Sequence, residues 1–320
     1  MTTIKCNYLR KIISPILYRL YILKKIKEIN EEFENDKVTA SFIFITDIHW
    51  GSNSKKSPWL INKLVKNTSI NKVFFGGDYI TSSESDKNKA IKYGKKAINK
   101  YKSKINDLFC NFGNHDDNSY MQEDLDQILN IREISNVLLN KSCCNIRYCT
   151  AFTYFFDSEQ DHLRYLCINT GKRNLSEEEF SFVVNALFSA PENYNLIVMG
   201  HIWVEWNGKS HIPNKETQLL FDLFNAYNER KKITGYDFKD VKNTILMIGG
   251  GHIHNDRVLY TDSRIPVITT NSDAWKKACG KDVIERFTPS EQCFDVFLIE
   301  NEQIKIIRIG HGCDRNIKMM

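Results

Sequence analysis

Residues 4–33 carry apolar side chains at Leu9, Ile12, Ile13, Ile16, Leu20, Leu23 and Ile26, spaced mostly three or four apart. That period predicts an amphipathic helix, with Pro15 either kinking it or marking a late start. A polar joint, Glu34-Asn35-Asp36-Lys37, follows. The pattern then changes to short apolar runs at 42–45, 73–75, 108–112, 163–168, 196–199, 245–248, 265–268, 294–299 and 304–307. Their length and β-branched content predict buried strands. Segments 57–68, 86–104, 119–133, 176–189 and 214–230 between them show helical periodicity. Strands alternating with helices predict an α/β fold, with a last third richer in strands. The joint divides an amphipathic segment, 1–37, from one large domain, 38–320.

Composition narrows the class. The 320 residues are 42% hydrophobic and 26% charged, which suits a globular chain and excludes wholesale disorder. No apolar stretch reaches a bilayer span, so no transmembrane helix is expected. The stretch 12–23 is broken by Pro15 and Arg19 and no small-residue cleavage site follows, so it does not read as a secretory signal. Nine cysteines without a CxxC pair suggest neither a disulfide framework nor a cysteine zinc site, and a cytoplasmic setting is expected. The net charge of +5 is local. Residues 1–27 hold seven bases and no acid, which leaves −2 for the rest. A nucleic-acid partner is therefore not favoured. Residues 4–27 have three possible uses: peripheral contact with an anionic membrane, contact with a partner protein, or packing of the apolar stripe on the large domain. The last is the simplest reading.

The strands run into potential metal ligands. The first leads to Asp47-Ile48-His49 and the second to Gly76-Gly77-Asp78. Others lead to Gly113-Asn114-His115-Asp116, Gly200-His201 and Gly251-His252-Ile253-His254. In open α/β sheets, ligands bind beyond the carboxyl ends of strands, so these ends converge on one crevice. Alternate residues of an extended chain share a side, so each Asp-x-His or His-x-His pair can aim at one centre. Imidazole and carboxylate ligands together suit first-row transition ions. His162, His211 and His311 fall outside these blocks and read as structural or exposed.

The five blocks, in this order, resemble those of the calcineurin-like metallophosphoesterase superfamily over roughly residues 40–275. The resemblance implies a four-layer α/β/β/α sandwich with two mixed sheets. It implies two transition metal ions, drawn from Mn, Fe, Zn or Ni. Asp47, His49, Asp78 and His254 would hold the first, and Asp78, Asn114, His201 and His252 the second, with Asp78 bridging. The implied reaction is hydrolysis of a phosphomonoester or phosphodiester by a hydroxide that the two metals activate.

His115 is left without a metal and is placed to protonate the leaving oxygen as general acid. Two readings of Asp116 stay open: it holds the second ring nitrogen of His115, or it caps a helix starting near Asp117–Asn118. Trp50, Tyr79, Trp203, Lys172, Arg173, Arg257 and Arg315 lie near the blocks or strand ends as candidate substrate contacts, with packing or plain surface exposure as the alternative. A nuclease of the same superfamily and a non-catalytic metal-binding scaffold are the rival readings.

Overall fold

The computed structural model describes residues 2–50, 56–82, 84–102, 107–138, 146–150, 152–172, 174–274 and 285–319. Helix α1 (Thr2–Glu34) precedes strand β1 (Ala40–Ile45), helix α2 (Ser57–Asn67) and β2 (Lys72–Phe75). Helix α3 (Lys87–Lys102) leads to β3 (Asp107–Cys110), a 3-10 turn at Leu125–Gln127 and α4 (Ile131–Leu138). Then come β4 (Arg147–Tyr148), β5 (Tyr154–Ser158), β6 (Leu163–Cys167), α5 (Glu177–Phe188) and β7 (Asn195–Met199). A hairpin of β8 (Glu205–Trp206) and β9 (His211–Ile212) precedes α6 (Lys215–Asn228). A second hairpin, β10 (Lys232–Ile233) and β11 (Tyr236–Asp237), follows it. The remaining strands are β12 (Ile245–Gly250), β13 (Arg257–Tyr260), β14 (Pro266–Thr269), β15 (Cys293–Ile299), β16 (Gln303–Gly310) and β17 (Arg315–Lys318).

Two mixed sheets form the centre. One has six strands in the order β17-β16-β15-β1-β2-β3, with β1, β2 and β3 parallel and the others antiparallel. The other has seven, β13-β14-β12-β7-β6-β5-β4, with β14, β12, β7 and β6 parallel. Strand alternation explains the layering. On β1, Phe42 and Phe44 join a cluster with Tyr165, Met199 and Met247 of the facing sheet. Ile43 and Ile45 turn the other way, onto Leu60 of α2, Ile98 of α3 and Ile134 of α4. On β6, Leu166 meets Val183 of α5 and Phe224 of α6, while Tyr165 faces the opposite sheet. Every strand buried on both faces thus needs helices outside it, which gives α/β/β/α as expected. The inter-sheet layer is aromatic, with Phe109 stacked on Phe156 at 4.1 Å and Phe42 on Phe297 at 4.8 Å between ring centroids.

Two expectations are corrected. No single helix spans 119–133. Asn118 and Met121 take left-handed backbone angles, φ 64° and 59°, which interrupt any helix. The Asn130 side chain instead accepts bonds from the Arg132 and Glu133 amides, so α4 starts at Ile131. Helix α1 is the second case. It runs unbroken past Pro15, but its packed face is not the stripe read from spacing. Ser14, Tyr18, Ile22 and Ile29 are buried, whereas Ile12, Ile16, Leu20 and Leu23 stay exposed. No helix among the described residues is long and apolar enough to cross a membrane.

Phe74 sits fully buried in the inter-sheet layer, against Phe42, Phe109, Phe156 and Tyr165. Phe74→Ala is expected to cost about 3–5 kcal/mol. Thermal denaturation followed by circular dichroism should show a fall in Tm of roughly 6–15 °C.

Candidate metal centre

The ligand blocks lie where the strands of both sheets run out, and the loops stay paired beyond the strands. Asp47 N–H donates to the Gly77 carbonyl and His49 N–H to the Asp78 carbonyl, both at 3.0 Å, so the β1 and β2 loops leave side by side. From the other sheet, Gly200 N–H donates to Gly249 and Gly251 N–H to the His201 carbonyl, also at 3.0 Å. Sharp turns at these ends re-aim the side chains. Asp47, His49, Asp78, His252 and His254 all have positive φ, at 51°, 36°, 57°, 69° and 47°. For residues with a Cβ that costs about 1 kcal/mol or more each, and here it falls on the blocks read as ligands. Two glycines permit the close approach. A Cβ on Gly113 would collide with the Asp78 amide and carboxylate, and one on Gly251 with Thr46 Oγ1 and the Asp47 carboxylate.

The two acids are closed off from solvent, with Asp47 0% and Asp78 1% exposed. Asp47 Oδ2 accepts bonds from the Thr46 hydroxyl at 2.7 Å and the His252 amide at 3.1 Å. His254 Nε2 lies 2.9 Å from Asp47 Oδ1. Asp78 Oδ1 accepts the His115 amide at 2.9 Å. Three imidazole Nε2 atoms face Asp78 Oδ2: His201 at 3.3 Å, His115 at 3.8 Å and His49 at 3.9 Å. A backbone carbonyl fixes each of these rings from behind. His201 Nδ1 bonds Gly76 O at 2.6 Å, His115 Nδ1 bonds Thr81 O at 2.9 Å, and His49 Nδ1 bonds Ile80 O at 3.2 Å. A carbonyl only accepts, so Nδ1 carries the hydrogen and Nε2 is turned to the centre.

Ligand-capable atoms of Asp47, His49, Asp78 and His254 all lie within 4.8 Å of one another, so these four could hold one cation. Beside them, Asn114 Oδ1 sits 3.2 Å from His201 Nε2, and the His201 and His252 rings are 5.4 Å apart. The structure thus brings all seven residues read as ligands into one cluster. Burial pushes the Asp47 carboxyl up, but His254, His201 and His49 outweigh it and hold it well below the usual carboxylate range. Burial also raises Asp78, and its pairing with His201 turns the balance downward. His201, lowered by burial, is lifted to about 9 by Asp78, Asp47 and its bond to Gly76. Burial dominates at His49 and pushes it down.

Asp116 does neither of the two things expected. No α-helix starts at 117–118, and the far nitrogen of His115 belongs to Thr81 O. The Asp116 carboxylate instead accepts three backbone amides: Tyr79 at 2.6 Å, Gly113 at 2.8 Å and Asp78 at 3.0 Å. It is a buried clamp between the second and third loops. Burial and the Asp78 charge push its carboxyl well above the usual range.

Several candidate substrate contacts prove structural. Tyr79 is buried against Phe75, and Trp203 is buried on Phe221 with its indole N–H on Gly249 O at 2.9 Å. Arg315 is engaged by Asp295 and the Thr269 carbonyl. Trp50 packs partly against the core, while Lys172 and Arg257 are exposed. Arg173 lies outside the described residues. Three supporting residues escaped the sequence reading. They are Thr46, Thr170, whose hydroxyl accepts the His201 and Ile202 amides, and Tyr120, whose ring lies 4.3 Å from that of His115. The one signal for the threonines was their place just past strand ends, Thr46 directly before Asp47 and Thr170 after β6.

The fold is similar to that of a dimetal phosphatase from Danio rerio, with a TM-score of 0.57 and 11% identity over 88% of this chain and 100% of that one. A phosphopantetheinyl hydrolase from Mycobacterium tuberculosis matches more loosely, with a TM-score of 0.41 and 10% identity over 72% of this chain and 89% of that one. Vps29 from Entamoeba histolytica has a TM-score of 0.38 and 10% identity over 88% and 100%. No curated protein is significantly similar to the chain in sequence. The family model for calcineurin-like phosphoesterases matches residues 40–256, from the start of β1 to just past His254. The chain belongs to the calcineurin-like phosphoesterase family.

Proposed function

We propose that the chain is a phosphoesterase with two metal ions, the first held by Asp47, His49, Asp78 and His254 and the second by Asp78, Asn114, His201 and His252. One observation carries this reading. Two fully buried carboxylates face imidazoles, and among the described residues no lysine or arginine pairs with either. Buried anions need a counter-charge, and the oxygen and nitrogen donor set suits Mn, Fe, Zn or Ni. The ring orientations add support, since His49 and His201, with Nδ1 on a carbonyl, turn Nε2 inward.

When bound, two such cations lower the pKa of water and neutralise charge on a phosphoryl group. The chain's own part is positional and acid–base. Asp78 reaches both groups of ligands and so suits the bridge. Thr81 O holds the Nδ1 hydrogen of His115, so Nε2 faces the centre; the doubly protonated ring gives its Nε2 proton to the leaving oxygen and is left as the neutral Nδ1–H tautomer. Tyr120 lies against that ring and is 49% exposed, which offers a flank to the leaving group. Asp116 holds the Asp78 and Gly113 amides and so sets the distance between Asp78 and Asn114. The substrate is a small phosphomonoester or phosphodiester, in keeping with the net charge of −2 on residues 28–320, which does not favour a nucleic acid.

Four outcomes test this. Purified protein should carry about two metals by elemental mass spectrometry and hydrolyse bis-(p-nitrophenyl) phosphate or p-nitrophenyl phosphate when Mn, Ni or Zn is supplied. Asp78→Asn should lose metal and reduce kcat/KM by more than about a hundredfold; metal-free wild-type protein without turnover on any ester would reject the reading. His115→Ala should keep its metal and lose about 10²–10⁴ in kcat on an alkyl ester, with a smaller loss on p-nitrophenyl esters, whose leaving group needs no proton. Asp116→Asn places an amide NH₂ among three N–H donors and should cost about 1–3 kcal/mol, read as a lower Tm.

A further inference from the structure

Helix α1 is apolar on two opposite faces, and the domain uses only one. Its inner face is tightly seated. Tyr18 and Ile22 are buried, and the Tyr18 hydroxyl donates to Glu291 at 3.2 Å. The Tyr21 hydroxyl accepts the Gly310 amide at 2.7 Å, and Lys25 lies 3.4 Å from Asp314. These attachments stop the helix from rolling to hide its other side. That other side carries Ile12, Ile13, Ile16, Leu17, Leu20 and Leu23, each 38–61% exposed. At 100° per residue they fill the half-turn opposite Ser14, Tyr18 and Ile22, which makes one continuous stripe rather than scattered side chains. Soluble surfaces rarely leave such a stripe open without a use.

Charge identifies the occupant. Arg19 and Lys24 are exposed on either edge of the stripe, and residues 1–27 contain seven bases and no acid. A second copy of this helix would bring the same positive edges against them. A lipid surface with anionic headgroups supplies both an apolar layer and the opposite charge. We propose that the outer face of α1 docks on an anionic bilayer, lying in the interface with its aliphatic residues in the acyl boundary and Arg19 and Lys24 at the headgroups. The helix lies on the membrane rather than through it, in keeping with the lack of a long apolar span among the described helices.

The test is flotation of the full chain with vesicles of phosphatidylcholine alone and of phosphatidylcholine doped with phosphatidylserine. The protein should float with the doped vesicles, not with the neutral ones, and less as salt rises. Ile16→Ser combined with Leu20→Ser, and separately Arg19→Glu combined with Lys24→Glu, should each weaken partitioning by about tenfold or more. These side chains are solvent-exposed, so circular dichroism and Tm should match the wild type. No flotation with doped vesicles, or flotation that both double variants retain, would overturn the proposal. So would concentration-dependent self-association in light scattering that the serine variant abolishes, for the face would then belong to a second copy.

Discussion

Two carboxylates without water are the constraint that orders this molecule. Asp47 and Asp78 stand at the seam of the two sheets, on the side of β1 and β2, and burial makes their charge costly. Groups from both sheets answer the charge, and those of the opposite sheet cross the seam to do so. His201 follows β7, and His252 and His254 follow β12. The sandwich therefore closes at this edge by electrostatic complement rather than by apolar packing alone. Such a seam is firm in position and poor in intrinsic stability, because neither half is satisfied by itself. The aromatic layer between the sheets supplies the adhesion, and the polar edge supplies the register.

The helical layers serve the same arrangement from outside. Parallel strands buried on both faces need a cover, and α1 to α4 on one side and α5 and α6 on the other provide it. With the strands held rigidly, their ends can carry short loops whose amides bond across to neighbouring loops. Asp116 extends that logic into the site, since one carboxylate takes three amides and keeps two loops at a fixed spacing.

Much of this was legible in the chain. The blocks pair ligand types at a spacing of two and sit at the ends of apolar runs, so Asp47, His49, Asp78, Asn114, His201, His252 and His254 could be located before any coordinates. What stayed hidden depended on backbone partners. Asp116 reads as a neighbour of His115 because adjacency is visible in sequence, while bonds to distant amides are not. The run 119–133 has helical spacing, yet Asn118 and Met121 take left-handed angles that spacing cannot report. Helix α1 was found in its right place with its packed face inverted. Its aliphatic stripe outweighs the inner face in hydropathy, and Tyr18 and Tyr21 meet the domain through hydroxyls as well as rings.

The left-handed angles at Asp47, His49, Asp78, His252 and His254 carry an energetic cost. At each of these positions a glycine would relieve torsional cost, and asparagine would tolerate the angle better than histidine. The cluster is thus built against a torsional preference for other residues. The backbone bears a torsional cost that is concentrated at one edge of the sandwich, where the five side chains meet.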